Sequence, residues 1–503
     1  MKRRNLRLHC LSWVVQTTSH ALMRSQNYLI LLVLLGVGAV CSYAQTPDPR
    51  PEHAAVQEGR PPLTPLPAEQ DWSFLRDASK RVDPLDKLKY VPIGDSAQRY
   101  LSLGLDYRGE YEYFDNWAMG EGPQDHSGYL LDRVIPHFDL HLGTDVRLFT
   151  EFQFDYEAYR NGGPRPGVDE DKGDVHQAFL EVGSRVSHER GFSLRAGRQE
   201  IVLGSGKLFD NNEGLNVKLS FDGVRFIAQS STGRWDVFAA KPVEDNPGFF
   251  DDGPKHTQTT WGSYLTIPSR LDARGFADLY YLGLSTKNAS YNRGSGIEFR
   301  HTIGIRAFRL PAGGWDYNWE ANIQFGSLGS SSILAWSTST ETAFQFQGLR
   351  LKPRAILRAD AYSGDHGSGN EAIGTYNSYF PRGAYFTDKL VPTLGSQNLV
   401  DVHPLVQFQI RPSVTGSFGW MWYWKESAKD GVYAYGSGVL IAPANTSQSD
   451  YLGTQGDLEI RWAPAPHFIV AGNMMGFRPG RSLVDQINAR GPIAANMGIT
   501  YRF

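Results

Sequence analysis

From Gln98 to Phe503 the chain alternates apolar and polar residues one by one, and this period of two constrains the fold more than any other feature. Leu101, Leu103, Leu105, Tyr107, Tyr111 and Tyr113 alternate with Ser102, Gly104, Asp106, Arg108, Glu110 and Glu112. Met497, Ile499, Tyr501 and Phe503 alternate in the same way with Asn496, Gly498, Thr500 and Arg502. Successive side chains of a strand point to opposite faces, so each such segment has one greasy face and one charged face. Eighteen segments read this way, from 98–114 and 129–142 through 214–229 and 400–412 to 465–478 and 493–503. Many exceed ten residues, which is long for the strands of a soluble sheet.

The connections argue for a membrane setting. Those after even-numbered segments are very short, as at Gly143 and Pro464, whereas most after odd-numbered segments are long, 366–399 being the longest. Short periplasmic turns alternating with long outer loops are the pattern of an outer-membrane barrel. The short connections at 288–292 and 329 depart from it, and Asp222-Gly223 has the composition of a tight hairpin turn inside an expected strand. A periplasmic β-sandwich would instead turn its charged faces to bulk water and its apolar faces to another sheet. The expectation is an all-β, transmembrane, antiparallel barrel of about 18 strands at residues 98–503.

The N-terminus reads as an export signal. Tyr28 to Val40 is a continuous apolar run of 13 residues, too short to span a bilayer as a helix, and Arg24 precedes it. Small residues at Ser42 and Ala44 suit cleavage before Gln45, giving a signal peptide at 1–44; Met23 is an alternative start. Val40 is a poor lipobox residue ahead of Cys41, so Cys10 and Cys41 are expected to leave with the leader and no disulfide is expected. Residues 45–97 read as a Pro-rich periplasmic leader followed by a lead-in that forms a short helix or a plug. Aromatics at 13% and 53 glycines suit strands that are wet on one side and apolar on the other. A net charge of −3 offers no basic field for nucleic acid.

Several separated segments resemble the alginate-export family, in order along the chain. They are Asp71 to Asp77 (DWSFLRD), Leu88 to Gly94 (LKYVPIG), Tyr100 to Gly104 (YLSLG), Arg195 to Glu200 (RAGRQE) and Leu219 to Arg225 (LSFDGVR). Tyr379 to Phe386 (YFPRGAYF) and Asn398 to Pro404 (NLVDVHP) continue the series. The resemblance implies an 18-stranded barrel in the cell outer membrane that lets an anionic, alginate-like polysaccharide leave passively. It also implies an arginine-built constriction, no bound cofactor and no enzymatic activity.

The residues supply suitable groups independently. Arg108, Arg147, Arg195, Arg225, Arg300, Arg306, Arg354, Arg358, Arg411, Arg461 and Arg502 mostly fall on the polar phase of their segments. Arginine stays charged and offers carboxylates a planar fork, and several weak anion sites in a row permit both entry and release. The expected substrate-binding set is Arg195, Arg198, Gln199, Asp222 and Arg225, from the family-like segments, with Arg108, Arg147, Arg300, Arg358 and Arg461. The competing expectation is that these arginines simply pair with wall carboxylates such as Glu110, Glu151, Glu298 and Glu459.

Other constellations carry less. His137, Asp139 and His141 share a strand face at a spacing that suits a metal, but lumenal polar residues produce such spacing by chance, so no metal is expected. Asp169, Glu170, Asp171 and Asp174 lack EF-hand spacing and read as a solvated outer loop. Asp365, His366 and Ser368 have the residue types of a hydrolase triad, but near-adjacent residues cannot assemble its geometry. Gly204 to Lys207 (GSGK) lacks phosphate-loop spacing.

The alternatives are uptake of small anions or sugars and, less favoured, a barrel enzyme acting on lipid or surface polymer. Expected partners are the anionic polysaccharide, outer-membrane lipid, periplasmic secretion-complex proteins and the barrel assembly machinery, with no nucleic acid. Deleting Phe503 is expected to abolish the heat-modifiable band of a folded barrel in electrophoresis. Arg502→Glu is expected to keep that band and shift the reversal potential of the pore.

Overall fold

The computed structural model describes residues 60–184, 191–367, 372–382, 394–435, 440–444 and 449–503; the expected signal peptide and residues 45–59 lie outside this set. Eighteen antiparallel strands form one sheet. They are β1 (Arg99–Asp115), β2 (Tyr129–Leu142), β3 (Val146–Ala158), β4 (Asp171–Val182), β5 (Gly191–Gln199) and β6 (Phe221–Ser230). β7 (Gly233–Glu244), β8 (Gln258–Pro268), β9 (Gly275–Tyr291), β10 (Gly294–Arg309), β11 (Gly314–Leu328) and β12 (Ser331–Gln345) follow. β13 (Arg354–Tyr362), β14 (Leu399–Arg411), β15 (Val414–Trp424), β16 (Tyr451–Ala465), β17 (Phe468–Pro479) and β18 (Ile493–Arg502) complete it.

Each strand pairs with its neighbours in sequence, and β18 returns to β1 from Arg502 opposite Asp106 to Ile493 opposite Asp115. Phe503 extends that seam, its amide donating to Leu105 O at 3.0 Å and its carbonyl accepting from Leu105 N at 3.1 Å. The sheet is therefore a closed barrel. Closure is what a bilayer demands, because hydrocarbon leaves no partner for an unpaired edge. Among the described residues no helix is long and apolar enough to cross a membrane, so the crossing is made by strands.

The faces are inverted relative to a water-soluble protein. Ile305, Leu334 and Met497 are 59%, 61% and 57% exposed, whereas Arg300, Thr302 and Gln324 are 0% exposed. Such an arrangement would be unstable in water; in a bilayer the exposed apolar band is solvated by lipid. The protein is an outer-membrane barrel.

Asp222-Gly223 lies within β6, as in the expected strand 214–229 and not in the alternative turn, with Asp222 opposite Lys241 and Gly223 opposite Ala240. One local expectation is corrected. Asp169, Asp171 and Asp174 are buried rather than solvated. Arg165 closes on Asp169 at 2.5 Å, and Asp174 accepts the amides of Asp251 and Asp252 at 2.8 and 3.2 Å, so neighbouring loops cover these acids.

One glycine is demanded by the register. Gly197 has φ +129, and a Cβ there would stand 2.2 Å from Ala178 O and 2.9 Å from Phe179 Cα, both backbone atoms of β4. Neither atom can yield without breaking the β4–β5 ladder. Gly197→Val should abolish the folded band in heat-modifiability electrophoresis. Gly472→Ala, whose nearest neighbour would be Asn496 O at 3.5 Å, should retain it.

Candidate functional site

Among the described residues, segments before and between the strands fold into the interior of the barrel. The N-terminal segment, residues 60–98, enters from the end of the short turns. The β5–β6 connection, residues 200–220, and the described parts of the β13–β14 connection, residues 363–398, enter from the opposite end. The two connections meet edge to edge: Asp210 N donates to Phe380 O at 2.9 Å, Phe380 N to Leu208 O at 2.9 Å and Arg382 N to Gly206 O at 2.8 Å. Phe209, Phe221 and Phe380 pack there with ring centroids 5.1–5.9 Å apart, and Arg382 pairs with Asp210 at 3.0 Å. Interior apolar packing of this kind is what lets two long loops leave the solvent.

Polar contacts then fix each insert to the wall. Arg108 on β1 donates to Glu213 O at 2.9 Å and to Leu215 O at 2.6 Å. Arg133 on β2 and Arg502 on β18 share Glu213 Oε1 at 2.7 and 3.3 Å. Lys218 pairs with Glu200 and, at 3.6 Å, with Glu213. Burial alone would raise the Glu213 carboxyl, but Arg133, Lys218, Arg502 and Arg108 outweigh it and hold the group well below the usual carboxylate range. Burial would likewise lower the Lys218 ammonium; Glu200, Glu213 and Glu151 hold it above its ordinary value. Both groups are therefore charged at neutral pH.

The N-terminal segment docks on a second set of arginines. Glu69 receives Arg195 at 3.2 Å and Arg234 at 3.1 Å, one on each carboxylate oxygen. Arg147 donates to Ala68 O at 2.8 Å, and Lys218 reaches Pro65 O at 3.3 Å, so this insert touches the β5–β6 connection. Farther along, Asp86 accepts from Arg60 at 2.5 Å, and Lys89 lies 3.5 Å from His137. Burial pushes the Lys89 ammonium down to about 8.

The wall residues expected to bind substrate fall into distinct groups. Arg195 also pairs with Glu181 at 2.9 Å and lies over the Phe179 ring at 4.2 Å. Arg225 pairs with Asp236 at 2.8 Å, and Arg147 grips both oxygens of Asp139 at 2.6 and 2.9 Å. These three cluster with Arg234 in the inner half of the barrel, whereas Arg108 lies with Arg133 and Arg502 around Glu213. Arg300 pairs with Glu298 at 2.6 Å and Arg358 with Glu341 at 2.7 Å, on other parts of the wall. Arg461 stands on β16 in register with Thr415 and Ala471. Gln199 is buried and donates to Gly197 O and Gly223 O at 3.3 Å each. Arg198 and Asp222 form a two-point pair at 2.9 and 3.1 Å near the end where β5 leaves for the long connection. Their strand phase is opposite to that of Arg195 and Arg225.

Sequence reasoning missed Arg133, Arg234, Glu69, Glu213 and Lys218. Arg133 and Arg234 were reachable through alternation, each sitting two residues from another inward group, His137's neighbour Ile135 and Asp236 respectively. Nothing local marks Glu69 or Glu213, whose role exists only once the inserts fold back. Of the minor constellations, His141 meets Asp139 at 3.1 Å beside Arg147, Asp365 pairs with Arg293 at 2.6 Å and His366 meets Glu426 at 2.8 Å; Ser368 lies outside the described residues. Ser205 donates to Glu320 at 2.6 Å and Lys207 to Ser339, anchoring the GSGK stretch to the wall. Among the described residues, Glu151, His176 and Glu200 bring ligand-type atoms together, as do Asp174, Asp251 and Asp252. Lys218 already neutralises the first group at Glu200.

A family model described as alginate export matches residues 99–492. No curated protein matches the chain. Among solved structures, OpdK of Pseudomonas aeruginosa, an outer membrane protein, aligns with TM-score 0.53 at 13% identity, covering 80% of this chain and 98% of that one. OpdK solved with vanillate aligns at 11% identity with the same TM-score and coverage. OccK2 (OpdF) of Pseudomonas aeruginosa in complex with glucuronate aligns with TM-score 0.52 at 11% identity, covering 80% and 98%. At such identities the likeness is one of fold.

Glu213→Gln removes the carboxylate that Arg133 and Arg502 share while leaving the Arg108 contacts to backbone carbonyls. Breaking a buried pair costs about 3–5 kcal/mol. Limited proteolysis should therefore cut within residues 200–220 of the variant and spare the wild type, with the barrel band intact.

Proposed function

Because the chain belongs to the alginate-export family, we propose that it is a passive outer-membrane channel through which an anionic polysaccharide leaves the cell. The observation that carries this reading is where the wall arginines find their partners. Some pair within the wall, as Arg225 does with Asp236. Others take carboxylates that belong to the inserts, Glu69 and Glu213. Arg195, Arg234 and Arg502 also pair with the wall acids Glu181, Asp236 and Asp106, so single guanidiniums of the lumenal face hold a wall carboxylate and an insert carboxylate at once.

Arginine suits a uronate-type polymer for physical reasons. The planar fork can hold a carboxylate at two points, and the charge persists at every physiological pH. Spreading the charge over groups around Arg108, Arg147, Arg225 and Arg300 makes each site weak enough to release the chain to the next. No bound cofactor or energy source enters this reading; direction follows from the gradient and from synthesis on the inner side. Arg133, Arg195 and Arg300 are at most 1% exposed, so a polymer reaching them must displace an insert.

Uptake of small anions is the second reading, since barrels of this fold have been solved with vanillate and with glucuronate, both carboxylates. A deletion strain separates the two: polymer retained in the periplasm supports export, and slowed growth on small organic acids with normal polymer release supports uptake. In planar bilayers the purified barrel should conduct with preference for anions. Arg225→Gln combined with Arg300→Gln should move the reversal potential under a salt gradient toward zero. An unchanged potential in a folded double variant would remove the arginine-lined conduit.

A further inference from the structure

The inner half of the barrel contains a small recess bounded by Glu69 and Ala68 on one side and by Arg195, Arg225, Arg234 and Tyr264 on the other. Glu200 and Val202 to Gly204 of the β5–β6 connection line part of this recess, and a further wall is the chain's own N-terminal segment, whose Glu69 carboxylate bridges Arg195 and Arg234, each oxygen taking one guanidinium. We propose that Arg195 and Arg234 form a carboxylate subsite for a uronate residue, filled in this arrangement by Glu69, so that the N-terminal segment is a displaceable plug at the inner mouth.

Three observations support the assignment. First, the subsite is built rather than incidental. Arg195 is 1% exposed, lies over Phe179 and is braced by Glu181, while Arg234 is braced by Asp236 at 2.8 Å. Both guanidiniums are thereby held in place whether or not Glu69 is present. Second, beside the apolar contact of Ala68 with Phe149 and Phe179, the plug is held here by polar contacts that a polymer could replace. Besides the Glu69 carboxylate these are the carbonyls of Ala68 and Pro65, accepting from Arg147 and Lys218. Third, the recess adjoins Glu69, with Tyr264 and Thr266 on the facing wall, so withdrawal of the N-terminal segment would widen it beside the two guanidiniums.

The energetic logic is competition. An internal carboxylate at the site lowers the apparent affinity of an external one by the fraction of time the site is empty. A single uronate would compete poorly against the tethered Glu69. A polymer that brings successive carboxylates gains an intramolecular advantage of its own and can hold the plug open. The plug would thus hold the basal conductance of small anions low until an anionic chain arrives from the periplasmic side.

This inference rests on the anionic-polymer reading above, and the test separates the two. Full-length barrel is reconstituted, its fold checked by heat-modifiable mobility, and hexagalacturonate is used as the uronate probe. Glu69→Gln should raise the basal anion conductance and tighten hexagalacturonate binding by about tenfold, the equivalent of one lost competing contact of roughly 1.4 kcal/mol. Glu69→Asp, which keeps the carboxylate, should stay near wild type. Arg234→Gln in the Glu69→Gln background should reverse the gain in affinity. If Glu69→Gln folds, and conductance and hexagalacturonate affinity both match wild type, the plug is overturned while the anionic-polymer reading stands. If neither protein binds hexagalacturonate or prefers anions, both are overturned.

Discussion

Everything in this molecule depends on closing the backbone ladder in a medium that offers no hydrogen bonds. The pairing of β18 with β1, extended by Phe503 and Leu105, removes the last open edge. An unpaired strand edge in hydrocarbon would cost several kcal/mol for each orphaned group, so a partly closed sheet is not a competing state. Once the sheet is a cylinder, strand alternation sorts the side chains without further choice. Apolar residues meet lipid, and charged ones are driven into a shared interior.

That interior then sets its own problem. A charge taken out of water costs several kcal/mol unless it is paired. The wall solves part of this internally, through pairs such as Arg300 with Glu298, Arg306 with Asp278 and Arg358 with Glu341. The inserts add further carboxylates to some of the wall arginines. Glu213 draws together Arg133 and Arg502 from strands on both sides of the closing seam, and Glu69 draws together Arg195 and Arg234. Aromatic packing around Phe209 and Phe380 holds the two long connections against each other, while ion pairs orient them against the wall. Wall and inserts are held differently: strand pairing is cooperative over the whole ladder, whereas the inserts are held by side-chain packing and ion pairs.

The wall was far more legible than the site. Each of the eighteen expected strands overlaps an observed one, because a period of two is written residue by residue and needs no partner to be recognised. Strand edges moved where neighbours intervene: β4 begins at Asp171 instead of 174, since the loop at Asp251 and Asp252 caps its first turn of acids. The arginines on the inward phase were also legible, Arg147, Arg195 and Arg225 among them. Arg198 and Asp222 came forward through the family-like segments, and simple alternation from Arg195 already puts them on the other phase. The acidic stretch at 169–174 looked solvated because sequence shows its charge and not the Arg165 guanidinium that covers it.

The sequence by itself determined the barrel, its strand count and which side chains face inward, because alternation, turn composition and the absence of a long apolar helix are all local properties. Only the tertiary structure decided what those inward charges meet. Glu69 stands 126 residues from Arg195 and Glu213 stands 289 from Arg502, and no local pattern encodes such pairings. They arise because segments before and between the strands turn into a closed space where every charge must find a partner, and the partner each one finds depends on the shape of the whole cylinder.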